Sequence, residues 1–247
     1  MGLLSSGLTD IGLKRSKNQD SIYVNNEQGL YIVADGMGGH AGGETASALA
    51  VQEIPKYIVG SKNETPQEIT QNSIRSANNV IKQVGTDNPE LKGMGTTVVQ
   101  FLFKSRFLYV GNLGDSRAYL VNKSKVYQLS RDHSLIQEKI NLNLYTREQA
   151  AADPNKNVLI RTCGLEDDVE VDVYTYKVHR NDIFFLCSDG LHGKVCDSDI
   201  LHIINKNIPD PSTASEEMVQ KAVTTLVAQA NANGGNDNIS VIMVLAQ

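Results

Sequence analysis

Apolar residues gather along this chain in two kinds of run, and their spacing separates strands from helices. Short runs rich in β-branched and aromatic residues, bounded by Gly, Asn, Asp or Lys-Ser turns, predict strands. They fall at Leu30–Ala34, Thr96–Phe103, Phe107–Val110, Ala118–Val121, Val169–Val178, Ile183–Cys187 and Ile239–Leu245. Longer segments carry helical spacing. Gly42–Tyr57 is Ala-rich, and Pro66–Val84 places Ile69, Ile74, Ala77, Val80, Ile81 and Val84 on one side. Asp197–Asn205 and Thr213–Asn231 repeat the pattern, the latter with Met218, Ala222, Leu226 and Ala230. The strands are mostly consecutive and do not alternate with helices. That order favours an α+β fold of antiparallel sheets covered by helix pairs over a doubly wound parallel sheet.

One segment breaks the pattern. Ser134 to Asn157 is polar and helix-permissive, and ends in Ala-Asp-Pro-Asn-Lys-Asn before Val158-Leu159-Ile160 resumes. It reads as a surface excursion beside an active site, the kind of insertion that carries substrate contacts. No repeat or low-complexity linker interrupts the chain, so residues 1–247 are expected to form one domain.

Composition narrows the function classes. With 247 residues, 40% of them hydrophobic, the chain can bury a substantial core. Its net charge is −5 and it has no Lys/Arg run, which argues against a nucleic-acid partner. Cys163, Cys187 and Cys196 show no CxxC spacing and fit core packing in a reducing compartment. No apolar run reaches the roughly 18–20 residues that span a bilayer, and no signal-like segment opens the chain. Met1-Gly2-Leu3-Leu4-Ser5-Ser6 satisfies the loose N-myristoylation pattern, a match short enough to be read as incidental. A soluble, cytoplasmic protein without a membrane span is the expectation.

The candidate chemistry lies in aspartates. Asp35, Asp115, Asp189 and Asp237 each stand where a strand-like run breaks into a loop, with glycine within three residues. Singly, an Asp-Gly is more often a turn than a ligand. Several carboxylates converging at strand ends repel one another unless cations neutralise them. An oxygen-only donor set selects hard ions such as Mg²⁺ or Mn²⁺ over Zn²⁺. Two such ions about 3.5–4 Å apart share a water and lower its pKa, making it a nucleophile toward phosphorus. Phosphate-monoester hydrolysis is slow enough to need so strong an electrostatic device. Arg15 is the candidate grip on phosphate, because a guanidinium matches phosphate oxygens bidentately. On its own, a lone arginine near the start of a chain is usually a solvated surface charge, and its neighbour Asp20 has the same ambiguity.

Taken together, seven motifs in order carry a resemblance: Arg15–Asp20 (RSKNQD), Ala34–Glu44 (ADGMGGHAGGE), Gly93–Thr97 (GMGTT), Gly111–Arg117 (GNLGDSR), Arg131–Ser134 (RDHS), Ser188–Leu191 (SDGL) and Gly235–Val241 (GNDNISV). The chain resembles bacterial-type members of the protein phosphatase 2C (PPM) family, the metal-dependent Ser/Thr protein phosphatases, over nearly its whole length. The resemblance implies a four-layer α-β-β-α sandwich of two antiparallel sheets, with two or three Mn²⁺ or Mg²⁺ ions at one edge. It implies that Asp35 bridges two metals, that the Gly36 carbonyl ligates one, and that Asp189 and Asp237 complete the other's shell. Asp20 would act through water, Asp115 would join Asp189 at a third metal, and Arg15 would bind phosphate. The stretch after Asp132-His133-Ser134, about residues 134–157, resembles the family's flap. Substrates would be phosphorylated proteins made by a Ser/Thr kinase, and a monomer is expected.

His40 is open between two roles: proton donor to the leaving alkoxide, or support for the Gly-rich loop and a metal-bound water. His133, His192 and His202 are read as structural. Three departures from the family pattern stand out: Gln19 where some relatives carry glutamate, His192-Gly193-Lys194 after Ser188–Leu191, and a polar flap over Lys139–Tyr145. The second is expected to alter surface charge beside the metals. The alternative function is a catalytically weak phosphatase-like module that binds phosphoproteins and regulates a partner; retention of Asp35, Asp189 and Asp237 weighs against it. A phosphatase of small molecules is a third reading. A P-loop is excluded, because no Gly-Lys-Ser/Thr follows Gly36–Gly43.

Overall fold

The computed structural model describes residues 2–38, 41–146, 149–150, 153–155 and 157–247. In chain order the elements begin with β1 (Leu3–Asp10), β2 (Asp20–Asn25), β3 (Leu30–Met37), α1 (Gly42–Gly60) and α2 (Pro66–Asp87). A run of strands follows: β4 (Gly95–Thr96), β5 (Val98–Lys104), β6 (Phe107–Leu113), β7 (Arg117–Asn122) and β8 (Lys125–Gln128). Then come α3 (Leu135–Asn141), β9 (Asp172–Lys177), β10 (Ile183–Cys187), α4 (Asp189–His192), α5 (Asp197–Asn207), α6 (Glu216–Ala232) and β11 (Ile239–Ala246).

Two antiparallel sheets result, ordered β1-β11-β10-β7-β8 and β2-β3-β5-β6-β9, with β4 added on β3. Three apolar layers glue them into the expected four-layer sandwich. Between the sheets, Val33, Phe101, Leu108, Phe184 and Val244 interlock, with Phe101, Phe103 and Phe184 edge-to-face at 5.7–6.0 Å. The outer face of the β2–β9 sheet packs Ile32, Leu102 and Leu113 under Ala46, Ala50 and Ile54 of α1 and Ile74, Ala77 and Ile81 of α2. The other sheet buries Phe185, Val241 and Met243 under Ile200 and Ile204 of α5 and Val219, Val223 and Leu226 of α6.

The helices start where the sequence provides caps. Thr65 and Glu68 form a reciprocal capping box, with Pro66 at the first position of α2. Ser215 caps α6 by accepting from the Met218 amide, so that helix begins at Glu216 and Pro211–Thr213 forms a separate 3₁₀ turn.

Two strand expectations are shortened. Val169 and Val171 are buried but precede β9, because their carbonyls accept from Arg75 Nε (3.3 Å) and Gln71 Nε2 (3.4 Å) of α2, outside the ladder. The Thr96–Phe103 run breaks at Thr97, whose amide turns to the Asp35 carbonyl at 2.8 Å. Among the described residues no helix is long and apolar enough to cross a membrane.

Candidate metal centre

Both sheets deliver carboxylates to one end of the sandwich. Asp20 opens β2 and is the direct cross-strand partner of Asp35 in β3. Asp189 is the first residue of α4, separated from β10 by Ser188 alone, and Asp237 is separated from the neighbouring strand β11 by Asn238 alone. Asp115 sits in the turn between β6 and β7. A cavity of about 330 Å³ is lined by Arg15, Asp35, Gly36, Asp115, Asp189 and Asp237, with Gln19, Asn157 and Leu159 at its walls. Of the sequence-predicted residues, Asp20 alone stands back from the lining. It is buried beside the cavity (7 % exposed) and coupled to Asp189 and Asp237 through space. His40 lies outside the described residues.

Backbone packing fixes this geometry. Asp35 is held in register by its amide donating to Thr97 Oγ1 (3.1 Å) and its carbonyl accepting from Thr97 N and Thr96 Oγ1 (2.8 and 2.9 Å). At Gly36 a Cβ would run into the Gly43 carbonyl, and at Gly190 into that of Asn238. No side chain fits at either position, so the β3 end and the start of α4 close tightly around the acids.

Three residues without a role in the sequence pattern anchor the acids. The hydroxyls of Ser188 and Ser240 both donate to Asp20 Oδ2, at 2.8 and 2.7 Å. Asn238 staples the Arg15 loop to β11: its Oδ1 accepts from the Gln19 amide (2.8 Å), and its Nδ2 donates to Ile11 O (3.0 Å) and Lys17 O (2.9 Å). All three lie inside the quoted motifs SDGL and GNDNISV. Small hydroxyl and amide side chains embedded among apolar strand residues were the available signal.

The electrostatics are those of crowded, poorly solvated anions. Desolvation first, and then Asp20, Asp189, Asp115 and Asp237, push the Asp35 carboxyl well above the usual range. Asp20 is raised to about 6 by burial, against the pull of the Ser240 and Ser188 hydroxyls. Asp115 is raised to about 7 by burial and by Asp189 and Asp132. Asp189 is raised by burial and Asp237, while Arg15 opposes the shift. Asp20 Oδ1 and Asp189 Oδ1 are buried with no hydrogen-bond donor. Orphaned anionic oxygens among like charges are what a cation would satisfy.

The donor set is oxygen throughout, which fits Mg²⁺ or Mn²⁺. Among the described residues, no three acidic, histidine or cysteine side chains close around a single point. A hard ion here would draw its further ligands from backbone carbonyls such as that of Gly36 and from water, which Mg²⁺ in particular retains.

Arg15 enters the cleft from the Asp237 side. Its Nη2 donates to Asp237 Oδ2 at 2.7 Å, and the side chain is 49 % exposed. On the Asp115 side, Arg117 Nε and Nη2 grip Asp132 with contacts of 2.7–3.0 Å, and Gln128 adds a bond to the same carboxylate. His133 completes the tie: its amide donates to Gly114 O (2.9 Å) and its Nδ1 accepts from Gly114 N (3.2 Å). The GNLGDSR and RDHS motifs therefore lock one another, and they set the turn that carries Asp115.

The flap leaves from this lock. Ser134 caps α3, and the chain returns beside it, with Leu135 N donating to Val158 O and Ile160 N to His133 O. Asn157 and Leu159 are thereby delivered to the cleft wall. Of His192-Gly193-Lys194, the stretch expected to alter surface charge, His192 itself contributes none. It is partly buried, Asp115 O lies 3.1 Å from its Nε2, and desolvation together with Arg117 holds its pKa well down, so the ring is neutral.

The family profile described as protein phosphatase 2C matches residues 14–239. A Streptococcus pneumoniae protein named Protein phosphatase PhpP is 35% identical over 244 residues, covering 96% of this chain and 95% of that protein. The crystal structure of the Mycobacterium tuberculosis serine/threonine phosphatase PstP/Ppp superposes with a TM-score of 0.89 at 29% identity, covering 100% of both chains. The catalytic domain of the serine/threonine protein phosphatase PstP in complex with two manganese ions gives 0.85 at 28% identity, covering 100% of this chain and 99% of that one.

Proposed function

The chain belongs to the protein phosphatase 2C family, and from that premise we propose that its acidic cleft hydrolyses phosphoserine and phosphothreonine esters on proteins. The observation that carries the reading is the convergence of Asp35, Asp115, Asp189 and Asp237 with Arg15 on one cavity, over a buried Asp20. We assign Asp35, the Gly36 carbonyl, Asp189 and Asp237 to holding two Mn²⁺ or Mg²⁺ ions, with Asp20 acting through water. Asp115 and Asp189 would hold a third ion. Bound there, the cations supply Lewis-acid charge to the phosphoryl oxygens and lower the pKa of water to make it a nucleophile.

The chain's own groups do the rest. Arg15 exchanges its Asp237 contact for two phosphate oxygens and orients the ester, since a guanidinium fork fits them bidentately. Ser188, Ser240 and Asn238 keep the acids and the Arg15 loop preorganised, so little reorganisation is left for the reaction itself. Apolar Leu159 and the flap base shield one wall of the cleft. His40 is assigned either proton delivery to the leaving alkoxide or support of the Gly-rich loop.

Residues 1–247 are read as one phosphatase domain, with 134–157 as its flap. The protein is read as a cytoplasmic monomer that reverses the products of a Ser/Thr kinase. The deciding test incubates folded protein with Mn²⁺ and a phosphothreonine peptide, following phosphate release and peptide binding together. Multiple-turnover release supports the enzyme. Binding without release would instead support the phosphoprotein-binding module.

A further inference from the structure

A second cavity, of about 490 Å³, opens between the C-terminal end of α2, the turn that follows it, and Gly164-Leu165. Met94 is its buried floor and Leu165, 42 % exposed, its wall. Lys82, Thr86 and Lys92 also line it, and among the described residues no acid does. The charged side chains that line it are both basic, in a chain of net charge −5 and beside a cleft lined by four aspartates.

The two cavities share a wall. Gly38 lines the acidic cleft, and a Cβ placed on it would lie 3.2 Å from Met94 Cα and 3.6 Å from Gly93 O. Met37 lines the cleft too and pairs with Gly95 across β3–β4. A Cβ on Gly95 would stand 3.6 Å from Met37 Cγ and 3.4 Å from Leu165 Cγ. One side chain of the cleft and one of the groove thus flank the same point.

We propose that this groove receives the segment flanking the phosphoresidue of a protein substrate, and selects acidic side chains there. The inference rests on the phosphatase reading and adds a substrate class to it. The groove's volume falls within the range of about 300–1,000 Å³ usual for ligand sites. Lys82 is paired with Asp167, but that carboxylate is 95 % exposed, so the pair is weak and open to exchange. Lysine stems, Met94 and Leu165 offer apolar contact beneath the charges. A chain already anchored by its phosphate reaches the groove at high effective concentration, so modest contacts there become selectivity. A basic flank, by contrast, would meet Lys82 and Lys92 and be disfavoured.

The test compares two phosphothreonine peptides, one with a Glu-rich and one with a Lys-rich flank, against para-nitrophenyl phosphate, with Mn²⁺ present. Wild type is expected to favour the Glu-rich peptide in kcat/KM. In Lys82→Gln/Lys92→Gln that preference falls about three- to tenfold, the order expected of one or two exposed charge pairs, while para-nitrophenyl phosphate turnover is unchanged. Lys92→Glu alone, at an exposed turn, should shift the preference the same way. Equal use of the two peptides by wild type, or an unaltered preference in both variants, overturns the groove and leaves the phosphatase standing. No turnover of any substrate by folded wild type overturns the phosphatase reading, and this inference with it.

Discussion

Asp20 and Asp35 stand directly opposite each other across the β2–β3 ladder. Like charges on opposed residues destabilise a sheet, and both carboxyls are pushed above their ordinary range, chiefly by desolvation. The fold therefore holds anions together at a cost that bound cations offset.

Metal-free stability should carry that cost as a pH dependence. An acid whose folded pKa is raised gives its full stability below the ordinary aspartate value of about 4, and loses it as pH rises through the folded value. Asp20 titrates near 6 and Asp115 near 7. In chelator, Tm should fall between about pH 4 and pH 7, and Asp115→Asn should flatten the upper part of the fall. Added Mn²⁺ should abolish it. A scanning-calorimetry series in which the metal-free Tm rises steadily over this window, and Asp115→Asn changes nothing, would contradict the electrostatic account.

Ser188→Ala and Ser240→Ala each remove a hydroxyl donor to Asp20 Oδ2. Each should cost about 1–3 kcal/mol. Because Asp20 then keeps only one of its two hydroxyl anchors, Mn²⁺ affinity should fall by about tenfold or more. Mn²⁺ titration calorimetry reads the second effect directly; unchanged affinity would mean that Asp20 plays no part in holding the ions.

The Arg117–Asp132 lock is largely buried, with side-chain exposures of 27% and 8%. Breaking it by Asp132→Ala leaves a half-buried guanidinium without its fork partner and should destabilise by about 3 kcal/mol. Arg117→Lys should also fail, since an ammonium cannot reproduce the fork. Chemical denaturation checks both, and wild-type stability in Arg117→Lys would reduce the contact to an ordinary surface pair.

Arg15→Ala should raise KM for phosphopeptides about tenfold or more, the scale of a lost charge-assisted bond. Mn²⁺ binding should change far less. A variant with unchanged KM but weakened Mn²⁺ binding would instead make Arg15 a support for Asp237.

The interior strands, the edge strand β9 and all four long helices are legible because their apolar or β-branched and aromatic runs are dense. The strands that went unread are β1, β2 and β8, each at the edge of its sheet, together with the two-residue β4. An edge strand buries one flank only, so Leu3–Asp10, mostly small and polar, carries no run. At the site, Asp35, Asp115, Asp189 and Asp237 are legible as acids where strand-like runs break beside glycine, and Arg15 as a guanidinium suited to phosphate. Ser188, Ser240 and Asn238 are not, because a hydroxyl or amide declares its role only when folding brings its partner from residues as distant as Asp20. The neutral state of His192 likewise depends on burial that sequence spacing does not encode.

The most direct test measures phosphate release from a phosphothreonine peptide by wild type and Asp35→Asn, each titrated with Mn²⁺ and then with chelator. The account predicts Mn²⁺-dependent turnover by wild type that chelator abolishes, and near-complete loss in a folded Asp35→Asn. Turnover that survives chelator, or an Asp35→Asn variant with wild-type rates, would contradict it.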